Sequence, residues 1–381
     1  MNSVPQKEKA YEPVFVPHPG ETLVEYLEFH EWSQRDLARR TGLTPKTISE
    51  ICSGKAPISP QTALALEKVL QRPAHLWLNL QRQFDEAEAR RRQLEKSAAW
   101  TEWAAKFPLK ELKRRKWISS ESHRGSDVES LLSFLGVSSP ESWGSVWQAT
   151  AVAYRQTRKF KTSTEAVSIW VRSTEIAASE VESAEFDEER LRSSIDSLRQ
   201  YTRLKIEEAL PKTQALCAAA GLAVVLVPEF EQTGISGCAR WLSDKKALIA
   251  LTLRYKTDDQ MWFTLFHELG HILLHKKRRS FVLDNAADDL ADRVVDPEMQ
   301  QFEDEANRFA ADTLIPPRDL AAFIKNNKFT NESIYGFAEE VGIGPGLLVG
   351  RLQHDGLLKP FQGNDFKQRL NWSIPDADEA G

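Results

Sequence analysis

The stretch that decides the fold of this chain is residues 261–275, MWFTLFHELGHILLH. Apolar residues flank a His-Glu-x-x-His pattern, and a run of this length and hydropathy predicts a buried helix. On a helix, a spacing of four places His267 and His271 on one face, where both imidazoles can bind one Zn²⁺. Glu268, next to the first ligand, is within reach of a water at such a metal and is predicted to act as general base.

A third ligand has to come from elsewhere in the chain, and residues 302–314, FEDEANRFAADTL, are predicted to form a second helix. Glu303 shares a face of this helix with small alanines, which permit close packing on the metal helix. Glu303 is therefore our predicted third ligand, and Glu305, on a more polar face, is the alternative. Asn307, one turn beyond Glu303, is placed to orient a ligand.

His275 is the third histidine of this cluster. It follows His267 by eight residues, which is about 12 Å of rise on a continuous helix and too far for one shared ion. We expect His275 to pack or hydrogen-bond at the helix end. Two other interpretations of the cluster stay open: ordinary core histidines, and a zinc site that senses without cutting.

Two strands are predicted before the metal helix. Residues 222–227, LAVVLV, are a short apolar run that ends at Pro228, and residues 246–254, KALIALTLR, alternate in polarity. We expect both segments to form strands.

A second pattern lies near the N-terminus, in residues 33–55, SQRDLARRTGLTPKTISEICSGK. Ser33 and Thr44 suit the N-caps of two short helices, and Pro45 suits the first turn of the second helix. Gly42 lies where the chain has to turn sharply. This spacing predicts a helix-turn-helix, whose second helix enters the major groove of DNA.

Five side chains of this module are predicted to contact DNA. Thr44, Lys46 and Thr47 would reach bases or phosphates from the start of the second helix. Gln34, at the start of the first helix, would contact a phosphate, and Lys55 is another phosphate contact. A helical protein-interaction bundle with the same spacing is the alternative interpretation.

Composition limits the function classes. The chain has 381 residues and a formal net charge of −5, which excludes a uniformly basic nucleic-acid coat but not a small DNA-binding module. Its three cysteines lie far apart, so a disulfide scaffold or a four-cysteine zinc site is not expected. The same cysteine usage favours a reducing cytoplasm, and no apolar stretch approaches 18 residues, so we expect no membrane span.

The N-terminal residues 17–90 resemble the HigA-type antitoxin branch of the Xre helix-turn-helix family. The resemblance is carried by PGETLVEYLEF (19–29), the helix-turn-helix stretch above and HLWLNLQRQFD (75–85). It implies binding to operator double-stranded DNA as a homodimer, with residues 75–80 in the dimer surface, and a cognate toxin as a further partner.

A second resemblance, to the ImmA/IrrE family of zinc metallopeptidases, covers residues 211–360. It is carried by RYKTDDQMWFTLFHELGHILLH (254–275), EDEANRFAADTLIP (303–316) and IGPGLLVGRLQHDGLL (343–358). The resemblance implies a zincin fold, zinc bound by His267, His271 and Glu303, and Glu268 as the base.

The same resemblance implies an edge strand that aligns a substrate peptide over the metal helix. Residues 239–242 or 248–253 are expected to supply this edge. No motif fixes the group that stabilises the oxyanion, and Arg254 and Tyr255 are our guesses for it. The family implies cleavage of one specific repressor.

The fold class predicted from these patterns is mainly α, multi-domain α+β, with a small sheet in the peptidase domain. Trp143, Trp147 and Trp170 are expected to anchor a helical middle region. The segments are an N-terminal arm (1–19), a helix-turn-helix domain (20–90), a helical middle domain (91–210), a zincin-like peptidase domain (211–325) and a C-terminal helical subdomain with tail (326–381).

Function follows from the two modules together. The sequence predicts a DNA-binding regulator or antitoxin with a zinc-dependent endopeptidase that cleaves a repressor, a partner or itself. The alternative is a non-proteolytic repressor-antitoxin whose zincin-like domain senses a signal or binds a toxin.

Overall fold

The computed structural model describes residues 16–118, 127–148, 163–231, 233–275, 297–325 and 329–371. The described chain is mostly helical and includes a three-stranded sheet, so the predicted α+β class is confirmed. The described chain separates into two compact units, with residues 16–102 and 127–129 in one and the other described residues in the second. Our five-part domain division stays a prediction.

Described residues 16–98 of the N-terminal unit form five helices around one apolar core. Ser33 caps the second helix by accepting a hydrogen bond from the Asp36 amide, and Thr44 caps the third by accepting one from Thr47. Gly42 adopts a left-handed φ of 74°, which a side chain would disfavour. The helices are α1 (Pro19–Phe29), α2 (Gln34–Thr41), α3 (Pro45–Cys52), α4 (Pro60–Leu70) and α5 (Ala74–Ala98).

The core of this unit follows the predicted pattern. Leu37 and Ala38 of α2 and Ile48 and Ile51 of α3 are buried, so the two short helices pack through their apolar faces. The predicted helix-turn-helix geometry is therefore present, and Trp77 of α5 is fully buried in the same core.

The second unit is organised around the sheet, whose strands are β1 (Leu222–Leu226), β2 (Gly237–Ser243) and β3 (Lys246–Leu251). The strand order is β1-β3-β2, with β1 parallel and β2 antiparallel to β3. Both predicted strands are confirmed. The expectation that residues 248–253 form the edge is wrong, because β3 pairs on both sides; residues 239–242 lie in β2, at an edge of the described sheet.

Both faces of the sheet are covered. Val224 and Ile249 belong to the same buried core as Trp262 of the following helix, and the alternate residues Ala223 and Leu248 are equally buried. This explains the nearly continuous apolar sequence of the strands.

The helices before the sheet are α6 (Thr101–Ala104), α7 (Leu109–Arg114), α8 (Asp127–Leu135), α9 (Pro140–Trp143), α10 (Thr164–Ser179), α11 (Glu188–Ser193), α12 (Ile195–Tyr201) and α13 (Ile206–Ala218).

The three predicted tryptophan anchors are buried. The Trp170 indole donates to the Val227 carbonyl at 3.1 Å, just beyond β1. Trp143 donates to the Ser168 hydroxyl at 3.2 Å and Trp147 to the Leu135 carbonyl at 3.1 Å. Each ring therefore combines apolar packing with a satisfied indole N–H.

The helices after the sheet are α14 (Asp258–Leu274), α15 (Pro297–Leu314), α16 (Pro317–Lys325), α17 (Asn331–Val341) and α18 (Pro345–His354). Buried Leu348 and Leu352 of α18 belong to the core that surrounds α14, so the C-terminal helices cover the metal helix. Residues 276–296, which follow α14 in the sequence, lie outside the described residues. None of the described helices is both long and apolar enough to cross a membrane.

The C-terminal segment is tied to the start of α14. Asp258 accepts hydrogen bonds from the Gln368 amide at 2.8 Å and the Asp259 amide at 3.0 Å. Lys367 pairs with the neighbouring Asp259 carboxylate at 2.7 Å. Burial is the main cause that raises the pKa of Asp258 to about 6.

Replacing Asp258 should change how stability depends on pH. The folded-state pKa of Asp258 lies above the unfolded value of 3.8. The contribution of Asp258 to the free energy of unfolding is therefore fully present below pH 3.8 and is lost as pH rises through about 6. Between pH 4 and 7, wild type should therefore lose up to about 3 kcal/mol of unfolding free energy relative to Asp258→Asn. Urea unfolding across this range measures the difference, with exposed Asp365→Asn as control; a difference that does not vary with pH would contradict the assignment.

Candidate metal centre and DNA-binding surface

The candidate metal centre lies where α14 and α15 pack closely. A Cβ built on Gly270 would lie 3.1 Å from the Ala306 Cα, so the glycine of the His-Glu-x-x-His stretch permits this approach. Ala306 and Ala310 are fully buried in the contact. The small residues predicted on the Glu303 face therefore do pack on the metal helix.

This packing gathers three metal-binding side chains. The Nε2 atoms of His267 and His271 are 2.9 Å apart. Glu303 Oε2 lies 3.3 Å from His267 Nε2, and Glu303 Oε1 lies 3.9 Å from His271 Nε2. These residues form a group whose ligand atoms all lie within 4.8 Å of one another.

The donor set fits a zinc ion. Zinc–ligand bonds of about 2.0–2.1 Å in a tetrahedron place ligand atoms about 3.3 Å apart, close to the separations found here. Two imidazoles and one carboxylate also match a catalytic zinc site, which has three protein ligands and one open position.

Burial keeps the second histidine in the form that a metal requires. His271 is 5% exposed. Burial lowers the pKa of His271 well below its ordinary value, and His267 and His275 lower it further. A neutral imidazole has the free lone pair that metal binding uses.

Other side chains contact the far sides of the two imidazoles. His267 Nδ1 lies 2.9 Å from Asn307 Oδ1, as expected for a residue that orients a ligand. His271 Nδ1 lies 3.1 Å from His275 Nδ1, and His275 Nε2 lies 3.0 Å from Glu305 Oε2. The structure thus brings Glu303 to the two Nε2 atoms, whereas Glu305 contacts His275.

Glu268 is fully buried and lies against β2. A Cβ on Gly237 would come within 2.6 Å of Thr264 Cγ2 and 3.0 Å of Glu268 Oε1. Only glycine leaves room for the carboxylate beside the edge strand. Sequence reasoning missed Gly237; a glycine at the start of an otherwise apolar strand was its only signal.

Arg254 and Tyr255 lie between β3 and α14. The Arg254 guanidinium donates to the Gly234 carbonyl and lies 5.3 Å from the centre of the Tyr255 ring. Tyr255 is 40% exposed. A role for either residue in stabilising an oxyanion stays a prediction.

The candidate DNA-binding surface is formed by the starts of α2 and α3. Gln34, Thr44, Lys46 and Lys55 are exposed, and Thr47 is half-buried. The Thr44 and Thr47 hydroxyls are 2.8 Å apart, so the capping residue Thr44 also fixes the side chain of Thr47.

Lys46 keeps its ammonium group available on this surface. Its Nζ lies 3.8 Å from Glu50 on the next turn, and 82% of its side chain is exposed. Such an exposed pair is weak and leaves the lysine able to contact a phosphate.

Comparison with known proteins finds matches in two separate parts of the chain. Residues 233–353 match the profile of the IrrE N-terminal-like domain of the peptidase M78 family, and residues 25–77 match a helix-turn-helix profile. YddM, an HTH-type transcriptional regulator of Escherichia coli K12, is 37% identical over 73 residues, which are 78% of that protein and 19% of this chain.

Solved structures were also matched. A putative antidote protein of a plasmid maintenance system from Nostoc punctiforme PCC 73102 is 31% identical, with 22% of this chain and 91% of that chain covered and a TM-score of 0.22. An addiction module antidote protein of the HigA family from Coxiella burnetii is 34% identical, with 23% and 91% covered and a TM-score of 0.20.

The fold and the matched profiles define the class as a helix-turn-helix regulator that carries a peptidase-family domain. The chain belongs to the HTH-type regulator family of YddM, and it joins a helix-turn-helix domain to an IrrE-like domain of the peptidase M78 family.

Glu303 and Glu305 can be separated by metal analysis. We expect wild type to bind one zinc per chain and Glu303→Gln to lose it, because an amide is a poor replacement for the third, anionic ligand. Glu305→Gln should keep one zinc per chain, because this side chain contacts His275 and not the ion-facing nitrogens, and the glutamine amide oxygen can still accept from His275. Elemental analysis of the dialysed proteins measures both, with the exposed Asp304→Asn as control. Zinc lost from Glu305→Gln and kept by Glu303→Gln would reverse the assignment.

Proposed function

We propose that this protein is a DNA-binding transcriptional regulator of the antitoxin type whose C-terminal domain is a zinc-dependent endopeptidase. The observation that carries the proposal is the cluster of His267, His271 and Glu303 with Glu268 one residue along the same buried helix. The match to a peptidase family supports it. The favoured substrate is one specific protein: a repressor, a partner toxin or this chain itself.

In this proposal the zinc ion supplies a Lewis acid that acidifies a water and polarises a peptide carbonyl. His267, His271 and Glu303 hold the ion, and Asn307 fixes the ring of His267. Glu268 accepts the proton from the attacking water and returns it to the departing amine nitrogen. Its burial beside the two histidines supports this role.

The substrate peptide would lie along β2. This strand is at an edge of the described sheet, and its first residue, Gly237, lies against Glu268. A peptide added to this edge would receive backbone hydrogen bonds that tolerate many sequences. Its scissile bond would then pass close to the general base.

The N-terminal unit would bind operator DNA through α3. The exposed residues Thr44 and Lys46, together with Thr47, lie at the N-terminal end of α3, the helix that enters the major groove in this motif. We further propose that the protein binds as a homodimer in the cytoplasm and that a cognate toxin is an additional partner.

Removing the general base tests the enzymatic half. Glu268→Gln should lower the rate of substrate cleavage by about 10²–10⁴-fold, since the amide cannot take the proton. In one set of incubations the purified protein is mixed with the products of the neighbouring genes. In a second set it is incubated by itself. Both sets are run with and without zinc. Fragments are counted by mass spectrometry, and exposed Glu207→Gln is the matched control.

Two results would contradict the enzymatic half. One is that every candidate stays intact with zinc-loaded wild type. The other is that Glu268→Gln cleaves as fast as wild type. Unchanged repression and toxin neutralisation in Glu268→Gln, with no cleavage by wild type, would favour the non-proteolytic repressor-antitoxin.

Two substitutions in α3 test the DNA-binding half. Thr47→Ala should weaken binding to the DNA upstream of the protein's own gene by about 1–3 kcal/mol if the hydroxyl contacts a base. Lys46→Ala should weaken binding to all duplexes and reduce the salt slope by about 1, because one phosphate contact is lost. Gel shifts at several salt concentrations measure both, with Lys106→Ala as control; equal affinity of all four proteins would contradict this surface.

A further inference from the structure

The metal-facing histidines each have a second partner, but the two partners differ in kind. His267 Nδ1 contacts an amide oxygen of Asn307 directly. His271 Nδ1 contacts another imidazole, that of His275, which in turn contacts the Glu305 carboxylate. We propose that His275 and Glu305 are positioning residues that fix the tautomer and ring orientation of His271 for metal binding.

The direction of each hydrogen bond follows from the chemistry of the ring. His271 turns its Nε2 toward His267 and Glu303, so that nitrogen carries the lone pair that binds the metal. Its proton must then reside on Nδ1 and be donated to His275 Nδ1. His275 consequently carries its own proton on Nε2 and donates it to Glu305. The acceptor at the end is a carboxylate, so the chain of hydrogen bonds can run in only one direction.

The surroundings hold His275 in this position. Its side chain is 7% exposed and lies directly after α14, where the His275 amide donates to the His271 carbonyl at 3.1 Å. The Phe302 ring centre lies 4.4 Å from that of His275. Gln301 donates to the other oxygen of Glu305 at 2.8 Å, which fixes the carboxylate.

Three side chains of α15 contact the two metal-facing histidines, either directly or through His275. Glu303 faces the two Nε2 atoms, Asn307 fixes His267, and Glu305 fixes His271 through His275. Both imidazoles are thereby oriented from the same helix that supplies the third ligand. Partners of this kind typically change metal affinity by about 10–100-fold when they are removed.

This inference rests on the proposed metal centre but not on peptide cleavage. The test measures zinc affinity of the full chain by competition with a chromogenic chelator. His275→Leu should weaken zinc binding by about 10–100-fold. His275→Gln should recover most of the affinity, because its amide oxygen can accept from His271 while its amide nitrogen donates to Glu305. The exposed His354→Leu is the matched control and should bind like wild type.

A double-mutant cycle separates positioning from general destabilisation. Glu305→Ala should weaken zinc binding by itself, and should have no further effect in the His275→Leu background, because Glu305 acts through His275. The visible spectrum of bound Co²⁺ should shift in His275→Leu and return in His275→Gln, which a loss of stability alone would not produce.

The outcomes distinguish this inference from the metal centre itself. Zinc affinities of His275→Leu and Glu305→Ala within two-fold of a zinc-binding wild type would overturn the positioning role alone. A wild type that binds no zinc would overturn the metal centre and this role together. Should His275→Leu fail to fold, Glu305→Ala still decides, because it leaves both histidines in place.

Discussion

The close contact between α14 and α15 is the constraint on which the candidate site depends. Gly270 has no side chain, and Ala306 and Ala310 have small ones, so the two helix backbones approach closely enough for Glu303 to reach His267 and His271. A larger residue at position 270 would meet the Ala306 backbone and separate the helices. The ligand geometry is therefore a consequence of packing between small residues.

The sheet and the C-terminal helices hold this helix pair in place. α14 packs with the sheet on one side and with α18 on another, and its first residues are bound by the C-terminal segment. Burial from these contacts lowers the pKa of His271 and removes Glu268 from solvent. The same contacts that stabilise the fold thus favour a neutral imidazole at His271 and enclose the Glu268 carboxylate in the candidate site.

The sequence was most informative where one helix carried the whole pattern. The positions of His267, Glu268 and His271 need only a spacing of four, and the caps at Ser33 and Thr44 need only local hydrogen bonds. Glu303 was chosen over Glu305 because small residues share its face, and the structure brings it to the histidines.

Features that depend on contacts between distant segments could be predicted less well from the sequence. The strand pattern did not reveal that β3 is central, since pairing partners are set by the chain that lies on either side. Gly237 gave little signal because its role depends on Glu268 being packed against it. His275 was expected to hydrogen-bond near the helix end, but its partners, His271 and Glu305, depend on how α15 docks.

The central claim is that α14 and α15 together form a zinc site of two imidazoles and one carboxylate. X-ray absorption at the zinc edge of the purified full-length protein tests it most directly. The account predicts a shell of nitrogen and oxygen atoms at about 2.0–2.1 Å with the outer-shell scattering of two imidazoles. Sulfur ligands at about 2.3 Å, or a shell without imidazole scattering, would contradict it.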